Sequence, residues 1–214
     1  FRISPGARQV MKRELMAGVN AVDGLIDTAP ESIFRVWLNP SSKRLAELQS
    51  RLEALGISVE ACDSRALDRR SEGLRHQGVI AEFRPRGPSS ELDLENFLRP
   101  VSHPLLLVLD GVNDPHNLGA CMRSAAAADA QAVVVPKDRA ASLTPAARRA
   151  SAGASERVPL VVVTNIARCL RRLNELGIWR IGLTGDAQTS LYSADLTKGV
   201  ALVLGSEERG LRRL

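Results

Sequence analysis

Aromatic residues are few in this chain. Its 214 residues include four Phe, two Trp and one Tyr, too few for a reader of single-stranded nucleic acid that works by stacking bases on aromatic platforms. Cysteine is scarce too. Cys62, Cys121 and Cys169 lie far apart and are odd in number, which argues against a disulfide framework. No CxxC pair or His/Cys cluster offers a metal site, so no metal and a reducing, cytoplasmic setting are expected. No apolar run approaches the ~20 residues of a membrane span. Nothing resembles a signal peptide, and no membrane partner is expected. The glycine signatures of phosphate binding are also missing. Neither GxxxxGK[ST] nor GxGxxG occurs, which excludes a P-loop and a Rossmann dinucleotide site.

What is present allows one large domain or two modest ones with a real core. The net charge of +5 is unevenly spread: residues 1–100 carry 15 Lys/Arg against 14 Asp/Glu, and residues 101–214 carry 14 against 10. Most of the cations are arginine, whose planar fork suits phosphate. A polyanionic partner such as RNA is one reading of this surplus, and an Arg-rich genome composition is the other.

The first half reads as a small α/β domain over residues 11–83, with the ten residues before Met11 left out of the fold reading. "VNAVDGLID" has helical spacing, "SIFRVWL" reads as a strand, and "SSKRLAELQSRLEALG" as a helix with Ser41 or Ser42 as cap and Gly56 as terminator. "ISVEAC", a short helix from Ser64 to Glu72 and the strand "GVIAEF" complete it. Residues 84–103, rich in proline, read as a linker with one short helix inside. From 104 to 214, "LLLVLD", "AVVVP", "PLVVVT", "WRIGLT" and "VALVLG" alternate with helical segments over 118–128, 143–152 and 165–176. That alternation predicts a parallel sheet with helices on both faces.

Ligands of open parallel sheets sit beyond the carboxyl ends of strands, near a switch in strand order. Two such ends stand out, "LDGVNDPHNLGACMRS" and "LVLGSEERGLRRL". In the first, Asn117 is expected at the N-cap, with Gly119 and Ala120 permitting close backbone approach. Arg123 comes six residues later, so an ideal helix turns it away from Asn117, and the two converge on one ligand only if Asn117 precedes the helix. Alternatively, Asn117 is merely a cap, Asp114–Pro115 a turn and Arg123 a solvated charge. His103 and His116 read as ordinary loop histidines, and Cys121 as a core residue.

"NDPHNLGACMRSAAA", "VVVPKDRAASLTPAARRASAGASERVPL" and "ALVLGSEERGLRRL" together resemble the SpoU family of SPOUT RNA 2′-O-ribose methyltransferases. "GVNAVDGLI" and "RHQGVIAEF" resemble the start and end of the small α/β substrate-binding domain in the branch acting on 23S ribosomal RNA guanosine. The resemblance covers roughly Ala17 to Leu214. It implies a parallel-sheet α/β catalytic domain of the trefoil-knot type, S-adenosyl-L-methionine as cofactor, ribosomal RNA as partner and a homodimer. It also implies roles for individual residues. Asn117, Arg123 and Glu207 fall on the catalytic positions, Gly205 on the glycine lying against the cofactor, and Thr184 and Gly185 on a further cofactor-contacting loop. Two departures stand out. Glu208 fills a position where the family often has glycine. The sequence also stops at Leu214, directly after the second motif, so the third motif and the C-terminal part of the catalytic domain are expected to be missing, and cofactor binding by 1–214 is expected to suffer. The alternatives are a tRNA guanosine enzyme, a resistance-type enzyme acting on ribosomal adenosine, and a non-catalytic RNA-binding protein on the same fold.

Overall fold

The computed structural model describes residues 13–206 and 209–212. They divide between two compact units, with the boundary at Pro85/Arg86.

The first unit is a four-stranded sheet with helices. Strand β1 is Glu14–Ala17, β2 Ile33–Leu38, β3 Val59–Ala61 and β4 Val79–Phe83, in the order β1-β4-β2-β3. β4 runs antiparallel to both β1 and β2, and β2 runs parallel to β3. Helices α1 (Val19–Thr28) and α2 (Lys43–Ala54) bury Val22, Leu25, Leu45, Leu48 and Leu52 against one face of the sheet. Ser42 is the α2 cap, its hydroxyl accepting from the Leu45 N–H, and Gly56 turns the chain out at φ +70°. Leu55, which continues the leucine spacing, is instead more than half exposed, because it caps the helix and does not lie within it. The opposite face carries Trp37, Leu67 and Ile80 beneath α3 (Ser64–Arg70), which Asp63 caps by accepting from the Ala66 N–H at 2.7 Å. Strand β1, four residues long and joined only to β4, had no sequence signature.

The second unit is a six-stranded, wholly parallel sheet. Its strands are β5 (Ser89–Ser90), β6 (Leu105–Asp110), β7 (Ala132–Pro136), β8 (Leu160–Val163), β9 (Trp179–Leu183) and β10 (Val200–Gly205), in the order β5-β8-β7-β6-β10-β9. From β6 the chain winds outward through β7 and β8, then returns to the other side of β6 for β10 and β9. The order therefore reverses between β6 and β10. One face is covered by α4 (Glu91–Leu98) and α8 (Ile166–Glu175). The other is covered by α5 (Pro115–Ala127), α6 (Pro145–Ser151) and α7 (Ala154–Arg157).

The stretch expected to link the units is largely built into the second. Ser90 and Asp93 form a capping box, the Asp93 carboxylate accepting from the Ser90 N–H at 2.8 Å and its hydroxyl at 2.7 Å. The helix they start buries Leu94 and Leu98, four residues apart, against the sheet. Arg86 is held as well. Its N–H donates to Glu156 at 2.8 Å and its carbonyl accepts from Arg148, while Arg148 and Glu156 form a buried ion pair. Proline density marked irregular backbone here, but two leucines on one helical face outweigh it.

Candidate active site

The two corners singled out in the sequence are neighbours. β6 and β10 pair in parallel, with Asp110 opposite Gly205, so both corner loops leave the same end of the sheet at its switch point, where an open α/β sheet forms its crevice. β9 pairs with β10 so that Leu183 stands opposite Leu204. The loop holding Thr184 and Gly185 therefore opens at that same end. Parallel strands place all their carboxyl ends on one side, and three sequence-distant loops are gathered by that geometry alone.

The first corner turns through Gly111, at φ +98°, and enters α5. The N-cap of α5 is Asp114, not Asn117. The Asp114 carboxylate accepts from the His116 N–H at 2.9 Å, and Pro115 occupies the first helical position. Aspartate followed by proline was the legible signal, since proline at that position costs no hydrogen bond. Asn117 thus lies inside the first turn. The condition for its convergence with Arg123 on one point is not met: the two stand roughly 9 Å apart along the axis and about 120° around it. They instead border one strip. His116, Asn117, Arg123 and Ser124 are exposed with Ala120 among them, while Leu118, Met122, Ala125 and Ala126 on the other side are buried. Gly119 does not serve a ligand. A Cβ there would lie 2.5 Å from the Ala150 Cβ and 2.6 Å from the Ala147 carbonyl oxygen, so the glycine lets α6 press against α5.

The second corner is a closed loop. Ser206 and Gly210 exchange backbone hydrogen bonds of 3.1 and 2.9 Å, and the Ser206 hydroxyl accepts from the Arg209 N–H at 3.2 Å. The returning backbone crosses Gly205 so tightly that a Cβ there would meet the Gly210 carbonyl carbon at 1.9 Å. Glu207, expected in the chemistry, and Glu208 lie outside the described residues. Beyond the loop, Arg212 reaches back to the buried Asp110 with a two-pronged hydrogen bond. That bond raises the guanidinium further above its ordinary range. Sequence reasoning passed over Asp110; an acidic residue ending an otherwise apolar strand was the available signal.

In the third loop, the Thr184 hydroxyl donates to Asp186, which holds that exposed carboxyl below its usual range. Gly185 faces open space. The loop after β7 also borders the first corner, where the Ala141 N–H donates to the Val112 carbonyl at 2.8 Å; Lys137 and Arg139 on this loop are exposed. Together these loops offer bare backbone at Gly185, the tight backbone crossing of Gly210 over Gly205, the hydroxyls of Thr184 and Ser206 and the partly buried side chains of Leu183 and Leu204. Uncharged hydrogen-bonding backbone beside aliphatic surface fits an adenosine, with its flat base and hydroxylated ribose. Among the described residues, no group of three or more His, Cys, Asp or Glu is placed to hold a metal, and no helix is long and apolar enough to cross a membrane.

Comparison with known proteins agrees with this architecture. The SpoU rRNA methylase family matches residues 104–214, and the family described as RNA 2′-O ribose methyltransferase substrate binding matches residues 15–89. The 23S rRNA (guanosine-2′-O-)-methyltransferase RlmB of Pasteurella multocida is 47% identical over 204 residues, covering 94% of this chain and 83% of that protein. RlmB of Escherichia coli K12 is 44% identical over 203 residues, covering 94% and 84%. Among solved structures, the SpoU methyltransferase AviRb from Streptomyces viridochromogenes, in complex with the cofactor AdoMet, shares the fold at a TM-score of 0.67, with 22% identity over 94% of this chain and 76% of its own. With one family match running from residue 104 to 214, over half of the chain, and relatives similar along nearly all of it, this protein belongs to the SpoU rRNA methylase family.

Proposed function

We propose that this protein methylates the 2′-hydroxyl of a ribose in RNA, at a guanosine of 23S ribosomal RNA, using S-adenosylmethionine. The observation that carries the reaction is the meeting of the two corners on β6 and β10, which opens the turn into α5 and the loop over Gly205 at the same end of the sheet, a Cβ at Gly111 standing 3.4 Å from the Ser206 Cβ. The choice of guanosine in 23S RNA follows the activity named for the relatives that are 44–47% identical.

S-adenosylmethionine, when bound, supplies an electrophilic methyl carbon. Thr184, Gly185 and Gly205 would hold it through the loops at the ends of β9 and β10. The protein's own task is to place a ribose oxygen in line with that carbon and to stabilise the negative charge the oxygen acquires. Arg123 does this with the planar fork of N–H donors on its guanidinium, which has donors and no acceptor, so it clamps a phosphate or the incipient alkoxide and does not act as base. Asn117, across the strip from Arg123, contacts the RNA beside the reacting ribose, and Glu207 keeps the role that the sequence motif implies. The first unit captures RNA. Arg65, Arg69 and Arg75 are exposed there, whereas Arg70 is engaged with Glu60 at 3.4 Å and lies over the Trp37 ring. A cytoplasmic homodimer with the knotted catalytic domain of its family completes the reading. The exposed Trp179, at the start of edge strand β9, and the exposed Tyr192 and Leu196, between β9 and β10, support association through the second unit.

Incubation of the protein with labelled S-adenosylmethionine and unmodified 23S RNA, followed by nuclease digestion and mass spectrometry, tests this. The expected product is one 2′-O-methylguanosine per RNA. Label on a base or on adenosine, or label on unmodified tRNA in a parallel incubation and none on 23S RNA, would overturn the assignment.

A further inference from the structure

We infer that Asp110 and Arg212 form a clasp that holds Gly210 and Ser206 in place over Gly205, making both of them positioning residues for S-adenosylmethionine. The inference rests on the proposed function and adds two residues to it.

Asp110 is 1% exposed at the last position of β6. A carboxylate so placed is costly unless paired. Its partner comes from 102 residues further along the chain: Arg212 Nε lies 3.0 Å from Oδ1 and 2.9 Å from Oδ2, and Nη2 also donates to Oδ1. A bidentate bond of this kind fixes direction as well as distance. Arg212 itself is half exposed, so only one end of the pair is committed to the core.

The clasp acts on a particular segment. Between Gly205, opposite Asp110 in the ladder, and Arg212 lies the loop closed by Ser206 and Gly210. One end is anchored by β10 and the other by Arg212. Leu211, between loop and clasp, packs on the sheet core, its Cδ1 at 2.9 Å from where a Gly182 Cβ would stand. If Arg212 lets go, the described residues of the loop are left with the two Ser206–Gly210 backbone bonds, the Arg209 N–H to Ser206 hydroxyl bond and the packing of Leu211. A loop ordered before binding spares the ligand the cost of ordering it. The clasp therefore acts on cofactor affinity, and chemistry at saturating cofactor is left nearly unchanged.

Asp110→Asn is the informative variant, because it removes the buried charge and leaves Arg212 free to turn into solvent. Arg212→Lys keeps the charge but loses the fork. Removing the arginine outright would strand a buried carboxylate and risk unfolding. Calorimetry should show S-adenosylmethionine binding weakened about tenfold or more in both variants, with kcat at saturating cofactor within about threefold of wild type. Hydrogen exchange of the protein without cofactor should quicken at Ser206 and Gly210, while Leu106–Leu109 of β6 stays protected. Unchanged affinity in Asp110→Asn would overturn the inference. So would faster exchange across the whole of β6 and β10, which marks a merely structural ion pair. If wild type binds no S-adenosylmethionine, the proposed function falls, and the exchange measurement still decides whether the clasp holds the loop.

Discussion

Arg123 carries the chemistry proposed at the scale of single residues. It stands exposed at the margin of the α5 strip, so its removal leaves the core intact and reports on the reaction alone. Arg123→Ala should lower kcat by roughly 10²–10³, equivalent to ~2–4 kcal/mol of transition-state stabilisation. Arg123→Lys should be nearly as poor, because an ammonium cannot span two oxygens. Single-turnover methylation at saturating cofactor and RNA checks both, and near wild-type rates in either would remove its assigned role. Cys169 shows the opposite case of a reactive group made inert. Buried on α8, its thiol is pushed up from the ordinary 9.0 to about 11, mainly by burial. The folded state thus favours the protonated thiol. This contribution to stability is complete below pH 9 and is lost as pH rises toward 11. Alkylation at pH 8 should leave Cys169 unmodified until the protein unfolds, as peptide mapping would show.

At the scale of elements, the packing of α5 on α6 decides where the exposed strip of α5 stands. Gly119 belongs to a segment whose resemblance suggested a ligand, yet its missing side chain is filled by Ala147, Ala150 and Ser151 of α6. Two of the three nearest atoms are backbone, so a methyl group there cannot be absorbed by a rotamer change. Gly119→Ala should cost ~1–3 kcal/mol through overpacking, and should also shift α5 enough to lower kcat. A Tm fall accompanied by reduced turnover, with cofactor affinity largely kept, is the expected pattern. An unchanged Tm would mean that α6 yields freely. The buried pair of Arg148 and Glu156 anchors the opposite side of the same layer by gripping Arg86.

For the whole molecule, the proposed function assigns RNA capture and methyl transfer to separate units. The exposed Arg65, Arg69 and Arg75 belong to the unit without the corner loops. Replacing all three with Ala should weaken RNA binding and flatten its dependence on log[salt] by about 0.7 for each single-strand phosphate that is no longer neutralised. Affinity for S-adenosylmethionine should stay at the wild-type value. Filter binding across a salt series, alongside calorimetry, separates the two effects. A drop in cofactor affinity with an unchanged salt slope would reverse the division of labour.

Local sequence determined the elements and the chemistry they can carry. Continuous apolar runs such as "LLLVLD" dictated strands covered on both faces, the spacing of Leu45, Leu48 and Leu52 dictated α2, and motif spelling alone brought Asn117, Arg123 and Gly205 into view. Capping was only half legible. Ser42 was readable, but Asp114 was eclipsed by Asn117, because both residue types cap helices and Pro115 decides between them. Strand order could not be read, since parallel strands are paired by crossovers whose direction depends on which helix faces fit together. That order makes Asp110 and Gly205 neighbours and gathers loops from β6, β9 and β10 into one place. The pairing of Asp110 with Arg212 and the filling of Gly119 by α6 were likewise decided only in the tertiary structure. A carboxylate's partner and a glycine's neighbour are properties of packing between residues far apart in sequence, and periodicity along a single segment carries no information about them.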